Sequence, residues 1–381
     1  MIGICLALLL AHAPLAAQRN PEYDRSVVSQ VRIDLRELGY PPADVIPPDE
    51  SAVRSLTVAP NGALYGATSG KRSHLFVLEP VHGYVVPLGF LKGVATVHRS
   101  LVVSQPGDVY IGAGGRDGHL FRYTPGRARQ IRVDAALEVA DLGAPAAGEG
   151  IFSLAIDRAR GVIYGLTAPD GEFFTYNIAG AKFTVHGKVA ERKIPGEKFE
   201  NEKAIGRAIA VSKSGGVFTS GENGALFRFD ADKQRLERLP VTLPSVPGRE
   251  PYTRVDAWAE SMSDTLYGGT SDGYLFRLHT KTLRIDNLGK PLNQYRIRGL
   301  VPGANGRLYG VGGDDDEMAR LFSYRPETGA YEILGMVDVN RRPFYSWQAY
   351  VIDSMAAGHD GTIYLGQAER KSKLYLYYPV P

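Results

Sequence analysis

The stretch SLTVAPNGALYGATSGKRSHLFVLEP, which begins at Ser55, contains every part of a motif that returns along the chain. A hydrophobic strand leads through a turn to a Leu/Ile/Val/Phe-Tyr/Phe pair, and a Gly-containing turn then leads to Leu/Phe-Phe/Tyr. Further copies read SLVVSQPGDVYIGAGGRDGHLFRYTP from Ser100, SLAIDRARGVIYGLTAPDGEFFTYNI from Ser153, AIAVSKSGGVFTSGENGALFRFD from Ala208, AWAESMSDTLYGGTSDGYLFRLH from Ala257, GLVPGANGRLYGVGGDDDEMARLFSYRP from Gly299 and SMAAGHDGTIYLGQAERKSKLYLYYP from Ser354.

Strand-type patterning that recurs at roughly 40 to 55 residues is typical of a radial β-architecture, with one four-stranded antiparallel blade per copy. The copies therefore predict an all-β, seven-bladed β-propeller. The composition agrees, because 44 Gly and 24 Pro suit many tight turns and 21 Tyr suit half-buried strands. A net charge of +3 is too small for the electrostatic field of the whole molecule to indicate that it binds nucleic acid.

The N-terminal segment differs from the repeats. Residues 1–18 hold a short apolar run that ends in small residues, as in a secretory signal peptide, and the run is too short to span a bilayer. We expect a secreted or periplasmic protein with a polar lead-in over residues 19–30 and one propeller domain over residues 31–381. The single cysteine, Cys5, lies in the leader, so disulfides are not expected.

The two ends of the chain are predicted to complete one blade. The segment VRIDLRELG from Val31 resembles the outer strands of other blades, whereas the last copy ends at KLYLYYPVP without a fourth strand. Pairing of residues 31–38 with the C-terminal blade removes two open sheet edges and closes the ring. A closed ring needs no partner for stability, so a monomer is expected.

One face of the ring is predicted to carry the site. Loops that enter the first strands and loops between the second and third strands share this face, which we call the mouth. Its hairpin turns are marked by the pairs Asp117-Gly118, Asp170-Gly171, Asn223-Gly224 and Asp272-Gly273, whose acids are expected to form turns.

Charged residues recur just before the first strands. The position eleven residues before the Tyr or Phe of each second strand, shifted by one in the third blade, is occupied by Arg54, Arg99, Phe152, Arg207, Asp256, Arg298 and Asp353. We call these seven residues the ring. Neighbouring candidates on the mouth are His98, Arg254, Tyr295, Arg296 and Tyr350, together with Tyr345 and Trp347 in the loop RRPFYSWQAY.

Two interpretations of the ring remain open at this stage. In the first, arginine and aspartate pair across the channel and fill it without any ligand. In the second, the surplus arginines bind an anion with flat apolar faces, since guanidinium groups match carboxylates and Tyr and Trp stack on sugar rings. An acidic sugar chain meets both demands, whereas no Gly-rich loop opens a helix to hold phosphate.

Two histidines are candidates for chemistry. His98 precedes the first strand of the second blade and His119 begins its third strand, so both are expected at the mouth. The His119 position is filled by other residue types in most blades, so strand geometry does not demand histidine there. The alternative is that both are solvated surface residues.

These features resemble the propeller-type polysaccharide lyases, which include ulvan lyases and rhamnose–glucuronate lyases. The resemblance covers nearly the whole chain at the level of the fold, but only His98 and His119 at the level of residues. It implies β-elimination next to a uronic acid, with His98 as base and His119 as acid or substrate holder. Arg99, Arg254 and Arg298 then surround the carboxylate, and Arg99 is expected to lower the pKa of His98.

Tyr164 could supply the tyrosine of such a lyase, although it holds a slot that is Tyr or Phe in every blade. Other functions stay open, namely a non-catalytic propeller that binds an anionic glycan or a protein, and, less favoured by a basic ring, a metal-dependent hydrolase. The sequence requires no cofactor. The acidic loop Asp314–Glu317 could hold Ca²⁺, but its spacing matches no calcium loop and favours a solvated turn.

Overall fold

The strands form seven four-stranded antiparallel sheets, in line with the predicted propeller. The computed structural model describes residues 35–38, 46–79, 84–126, 132–190, 204–260, 265–314, 316–341 and 345–379. The first strand of each blade contacts the first strands of both neighbouring blades, and blade 7 contacts blade 1 in the same way. These seven strands therefore surround the central channel, as the order of strands in the repeat predicts.

The blades are numbered in the order of their first strands. Blade 1 consists of Ala52–Val58, Leu64–Ser69, Ser73–Glu79 and Tyr84–Leu91. Blade 2 consists of Leu101–Val103, Val109–Gly112, Leu120–Tyr123 and Ala140–Asp141. Blade 3 consists of Gly150–Asp157, Val162–Ala168, Glu172–Asn177 and Lys182–Lys188. Blade 4 consists of Ala210–Val211, Val217–Ser220, Ala225–Asp230 and Arg235–Thr242.

The remaining blades follow the same order. Blade 5 consists of Val255–Glu260, Thr265–Thr270, Leu275–His279 and Arg284–Gly289. Blade 6 consists of Ile297–Pro302, Leu308–Asp314, Glu317–Arg325 and Ala330–Met336. Blade 7 consists of Ile352–Ala357, Ile363–Gln367, Leu374–Tyr377 and the N-terminal strand Leu35–Leu38. Short 3₁₀ helices cover Pro48–Glu50, Glu222–Gly224 and Glu250–Tyr252.

The N-terminal strand lies at the outer edge of blade 7. Leu35 pairs with Tyr377 and Leu38 pairs with Leu374 in an antiparallel register. The importance of this pairing for closure of the ring stays a prediction. The expected leader at residues 1–18, the lead-in at residues 19–30 and residues 31–34 lie outside the described residues.

A close approach between neighbouring strands explains why glycine follows tyrosine in several copies of the motif. Gly66, in the second strand of blade 1, pairs with Phe76 in the third strand. A Cβ atom on Gly66 would lie 2.0 Å from the Phe76 ring. The same pairing joins Gly165 to Phe174, and it recurs in blades 5 and 6. The phenylalanine ring thus lies flat over a strand position that tolerates no side chain.

The hydrophobic core lies between the blades. Seven clusters of buried residues each join two neighbouring blades, including one between blades 7 and 1. The Tyr or Phe of every second strand belongs to these clusters. Tyr164 is only 1% exposed and packs against Phe173 and Phe229, which confirms the structural interpretation of that residue. Burial of one such side chain contributes about 1.5–3 kcal/mol.

A two-stranded ribbon separates blade 6 from blade 7. Its strands, Asp338–Arg341 and Tyr345–Gln348, pair so that Arg341 lies opposite Tyr345 and Val339 lies opposite Trp347. The ribbon is anchored where Val337 and Ala349 hydrogen-bond to each other and to Ala319 of blade 6. It therefore belongs to the mouth side of the ring, because Ala349 leads into the first strand of blade 7.

Candidate functional site

Bulges in the first strands place the ring residues at the channel. In five blades the pairing between the first and second strands shifts register at one residue, and that residue is Arg54, Phe152, Asp256, Arg298 or Asp353. A bulge leaves one residue outside the ladder and redirects its side chain. These five residues therefore lie inside the first strands as bulges, rather than just before them as predicted, whereas Arg99 and Arg207 do precede their strands.

Asp353 gathers the arginines of four blades. Its carboxylate is 1% exposed and lies 2.8 Å from Nη2 of Arg207, 3.2 Å from Nη1 of Arg298, 3.4 Å from Nη1 of Arg54 and 3.6 Å from Nη2 of Arg99. Burial alone would raise the pKa of Asp353, but the four arginines outweigh burial and hold it well below its usual range. This carboxylate stays ionised and fixes the centre of the ring.

Asp256 forms a second, smaller centre. Its carboxylate is fully buried and lies 2.6 Å from Nη2 of Arg296 and 3.3 Å from Nε of Arg254. Burial raises the pKa of Asp256, but Arg296 and Arg254 more than offset burial and lower it well below the ordinary value. Burial also lowers the pKa of the Arg254 guanidinium to about 10, despite the attraction of Asp256. The surroundings of Arg254 therefore disfavour the charged form of its guanidinium.

Arg99 crosses the channel. Its Nη1 and Nη2 atoms donate hydrogen bonds to the main-chain carbonyls of Asp256 and Arg298 on the far side of the ring. Burial, followed by the repulsion of Arg207, lowers the pKa of Arg99 to about 10. Because both terminal nitrogens contact the protein itself, the binding of a ligand carboxylate by Arg99 stays a prediction.

Positive charge exceeds negative charge in the network around Asp353 and Asp256. In the part of the chain that the structure describes, six guanidinium groups meet three carboxylates in this network. The six arginines are Arg54, Arg99, Arg207, Arg254, Arg296 and Arg298, and the three carboxylates are Asp256, Asp314 and Asp353. Arginine and aspartate do pair across the channel, as the first interpretation of the ring predicts, but the pairing leaves three positive charges in excess.

A cavity of about 460 Å³ opens between blades 5 and 6. We call it the arginine cavity, and its lining consists of Arg249, Tyr252, Arg254, Ser271, Tyr295, Arg296 and Asp314. Tyr295 is 58% exposed, and the Arg249 guanidinium lies 5.8 Å from the centre of its ring. The cavity therefore combines guanidinium groups with an exposed aromatic face.

A second cavity, of about 410 Å³, opens between blades 2 and 3. We call it the histidine cavity, and its lining consists of His98, Gly114, Gly115, Arg116, Gly148, Gly150, Ile151, Phe152, Ala168 and Pro169. The His98 ring packs against Phe152 with 5.0 Å between ring centres, and its Nδ1 atom is buried without a hydrogen-bond partner. The second cavity is thus mostly glycine and apolar surface, with one imidazole and one guanidinium, that of Arg116.

His98 is neutral at physiological pH. Burial is the largest cause that lowers its pKa to about 3, followed by the positive charges of Arg207 and Arg54, while Arg99 has a smaller influence. The predicted direction of the shift is confirmed, but the main cause is burial rather than Arg99. A neutral imidazole in a cavity can accept a proton from a bound molecule.

His119 is not among the residues that line the histidine cavity. Its Nδ1 atom is 2.8 Å from both carboxylate oxygens of Asp141 in the outermost strand of blade 2, and its side chain is 40% exposed. The same position in blade 1 is His74, which is fully buried and 2.7 Å from Glu50. Both histidines pair with a carboxylate, which favours a structural role for this position, and the structure does not bring His119 into contact with His98.

The other predicted residues have varied surroundings. Tyr350 is half-buried, and its main-chain amide donates to Glu369. Tyr345 and Trp347 lie in the ribbon, where the structure describes the backbone but not these side chains. Asp314 of the acidic loop forms an ion pair with Arg298, whereas Asp315 lies outside the described residues. Among the described residues no group of three or more His, Cys, Asp or Glu could hold a metal ion.

Sequence analysis assigned Asp272 only a role in a turn, whereas the structure gives it a second role at the arginine cavity. As predicted, it belongs to a turn in which Gly273 has a φ of 83°. However, its fully buried carboxylate also accepts bonds from the Val246 amide, the Thr253 hydroxyl and the Arg249 guanidinium. Asp272 therefore holds Arg249 at the edge of the arginine cavity, and no local pattern separates it from the aspartates that only form turns.

Comparison with known proteins supports the fold. No protein-family model matches the chain, and no curated protein matches it. The extracellular domain described as that of a hybrid two-component system from B. thetaiotaomicron superposes with a TM-score of 0.61 and 17% identity, over 92% of this chain and 40% of that one. This chain thus spans less than half of that structure.

Two further structures show how widely the architecture is shared. A catalytically inactive virginiamycin B lyase from Staphylococcus aureus with quinupristin has a TM-score of 0.63 and 12% identity, over 91% of this chain and 100% of that one. The WD40 propeller domain of Doa1 has a TM-score of 0.57 and 12% identity, over 85% of this chain and 92% of that one. Because these chains include a lyase and a WD40 domain, the likeness shows a shared propeller fold and leaves function to the site.

Proposed function

We propose that the mouth binds an acidic carbohydrate. The observation that carries the proposal is the excess of three guanidinium charges over carboxylates in a largely buried network. Buried charge without a counter-charge is costly, and a bound anion offsets that cost. The lowered pKa values of Arg99 and Arg254 point the same way, since each charged group is disfavoured in its surroundings.

The arginine cavity favours a carbohydrate over a simple anion. Its volume of about 460 Å³ lies within the ordinary range for small-ligand sites, roughly 300–1,000 Å³. Arg254 and Arg296 supply donors for a carboxylate, and the exposed ring of Tyr295 supplies a flat apolar face. A uronic acid presents a carboxylate and a C–H face on one ring, so it matches both.

Calorimetric titration with an oligogalacturonate tests this function. We expect Arg296→Ala to weaken binding by at least about tenfold, because a charge-assisted hydrogen bond contributes about 1.5–3 kcal/mol. Arg238→Ala is the matched control, since Arg238 is a half-exposed arginine on the outer strand of blade 4. Binding should also weaken with added salt. No binding of any polyuronate, or equal losses in both variants, would refute the proposal.

A second candidate function is a uronate lyase that uses the histidine cavity. The observation that favours it is a neutral imidazole, His98, which lines a cavity and lies close enough to Arg207 and Arg54 to feel their charge. His98 takes the C5 proton of the uronate, and the electron pair forms the C4–C5 double bond as the C4–O bond breaks. His119 or water protonates the leaving oxygen, and Arg207 stabilises the charge that develops on the carboxylate.

The lyase is tested by the ultraviolet absorbance of an unsaturated uronate. A panel of polyuronates should give a rising absorbance with the natural protein and none with His98→Ala. His119→Ala should retain part of the activity, because His119 pairs with Asp141 outside the histidine cavity. If no polyuronate reacts while oligogalacturonate still binds, the protein is a binding propeller and the lyase is excluded.

The proposal extends to the location of the protein. Residues 1–18 resemble a secretory leader, so we propose a secreted or periplasmic monomer that meets polysaccharide outside the cytoplasm. No helix in the described ranges is long and apolar enough to cross a membrane. Fractionation of cells that express the natural chain, followed by mass determination of the mature protein, tests the leader and the oligomeric state together.

A further inference from the structure

We infer that Asp314 is an internal competitor for the ligand carboxylate, paired with an arginine that an acidic ligand also uses. The inference rests on the proposed function, because it assumes that an acidic carbohydrate binds in the arginine cavity. It adds a residue that sets the strength and selectivity of that binding. The starting observation is that one arginine, Arg298, contacts two carboxylates of very different exposure.

The two carboxylates on Arg298 are not equivalent. Asp353 is 1% exposed and lies 3.2 Å from Nη1, within the network that also includes the arginines of blades 1, 2 and 4. Asp314 is 36% exposed and contacts Nη2 of the same guanidinium. Arg298 itself is only 8% exposed, and its Nε donates to the carbonyl of Gly313 at 2.9 Å. The guanidinium therefore contacts a buried carboxylate through Nη1 and a cavity-lining carboxylate through Nη2, and Arg298 itself is not among the residues that line the arginine cavity.

Asp314 lies where a ligand carboxylate would arrive. It lines the arginine cavity together with Arg254, Arg296 and Tyr295. An anion that enters this cavity meets the guanidinium groups of blades 5 and 6 and the carboxylate of Asp314 on the same wall. The anion is either repelled by the Asp314 carboxylate or takes the place of that carboxylate in the ion pair with Arg298.

Replacement is the less costly outcome. A partly exposed ion pair contributes only about 0–1 kcal/mol, whereas breaking a buried pair costs several times more. The ligand can therefore displace Asp314 while the pair between Arg298 and Asp353 persists. A carboxylate that leaves is matched by a carboxylate that arrives, so the charge on Arg298 stays compensated throughout.

The exchange affects acidic and neutral ligands differently. An acid must displace Asp314 to reach Arg298, whereas a neutral sugar binds beside the intact ion pair. Asp314 therefore weakens the binding of acids more than that of neutral sugars and lowers the selectivity of the cavity. Asp314 ends the second strand of blade 6 and pairs with Glu317 of the third strand in the register of the sheet.

The same loop supplies a matched control. Asp316 lies two residues further on, is exposed, and forms no ion pair among the described residues. Asp314→Asn and Asp316→Asn each remove one negative charge from the same loop, so they raise the overall field equally. Only the first variant releases Arg298.

Titration with trigalacturonate and with its methyl ester tests the inference. We expect Asp314→Asn to tighten trigalacturonate binding by about 3–5-fold, as the strength of an exposed ion pair suggests. Asp316→Asn should change affinity by less than about twofold, since an exposed charge is screened by salt. The preference for the acid over the ester should rise in Asp314→Asn, because only the charged ligand gains from the freed Arg298 guanidinium and from the loss of the competing carboxylate. Asp314→Ser should repeat the result if the asparagine variant melts early.

Each outcome decides a different point. If the natural protein binds trigalacturonate and both asparagine variants bind equally, the inference is wrong and the proposed function stands. If Asp314→Asn binds more weakly than the natural protein, Asp314 assists the ligand and the inference is again wrong. If no variant binds trigalacturonate, the proposed function fails and the inference fails with it.

Discussion

The two cavities at the mouth are almost equal in size and opposite in chemistry. The arginine cavity, at about 460 Å³, is lined by three arginines, an aspartate and two tyrosines. The histidine cavity, at about 410 Å³, is lined by four glycines and apolar side chains around one neutral imidazole, with Arg116 as its one charged lining residue. Both cavities open between two neighbouring blades, so the architecture sets their similar size. The individual lining residues set the chemistry of each cavity.

One substitution in the repeat accounts for much of this difference. Every blade except blade 3 has a charged residue at the ring position, and blade 3 has Phe152. Phe152 is 8% exposed and packs against His98, so an apolar ring contacts the imidazole where other blades have a charged side chain. The two cavities therefore differ because blade 3 departs from the repeat at the ring position.

The largest expected effect comes from the carboxylate that the two sides share. Asp353→Ala removes the common partner of Arg54, Arg99, Arg207 and Arg298. Loss of one partner of a buried ion pair costs about 3–5 kcal/mol, and here four guanidinium groups lose theirs. Denaturant unfolding of this variant should show a loss of at least that size, and both cavities should be lost together.

Asp316→Ala is the control for Asp353→Ala, because Asp316 is exposed on the rim. Its free energy of unfolding should stay within about 0.5 kcal/mol of the natural value. A loss below about 1 kcal/mol for Asp353→Ala would show that the ring arginines do not depend on this carboxylate.

A smaller effect is expected in the pH dependence of stability, and it arises from the histidine cavity. The pKa of His98 is about 3 in the folded protein, against an ordinary value of about 6.5 in the unfolded chain. Between these values the unfolded chain binds a proton that the folded protein does not, so stability falls as pH falls from about 6.5 to about 3. A single proton contributes up to about 1.4 kcal/mol per pH unit in this window and nothing above it.

His98→Gln should therefore flatten the dependence of the free energy of unfolding on pH below about 6.5. Denaturant unfolding of the two proteins at a series of pH values gives the difference, which removes contributions from other histidines. Parallel curves would show that folding does not lower the pKa of His98, so burial would not be what keeps this imidazole neutral.

The fold was predictable because its signals are local. The Tyr-Gly and Leu-Phe pairs recur at fixed spacing, and the structure shows why, since each Gly lies beneath the Phe ring of the adjacent strand. The ring positions were predictable by the same count, because a bulge occurs at one fixed point of the repeat. Local spacing therefore indicated the blades, the mouth and the candidate arginines.

The contacts within the mouth were not predictable, because they join residues that are far apart in sequence. Arg99 donates to the carbonyls of Asp256 and Arg298, which lie 157 and 199 residues away. The pairing of His119 with Asp141 likewise depends on the register of the outermost strand of blade 2. Sequence position placed His98 and His119 on one rim, but only the packing of strands shows that they have different partners.

The smallest expected effect on stability tests whether the arginine cavity exists for a ligand. Tyr295 is 58% exposed, so Tyr295→Ala should change the free energy of unfolding by less than about 0.5 kcal/mol. Affinity for trigalacturonate should nevertheless fall several-fold, because the ring offers the apolar face on which a sugar stacks. Tyr378→Ala is the matched control, since Tyr378 is 49% exposed and does not line the cavity. If both variants bind alike, the aromatic face takes no part in recognition, and the arginines alone distinguish one side of the mouth from the other.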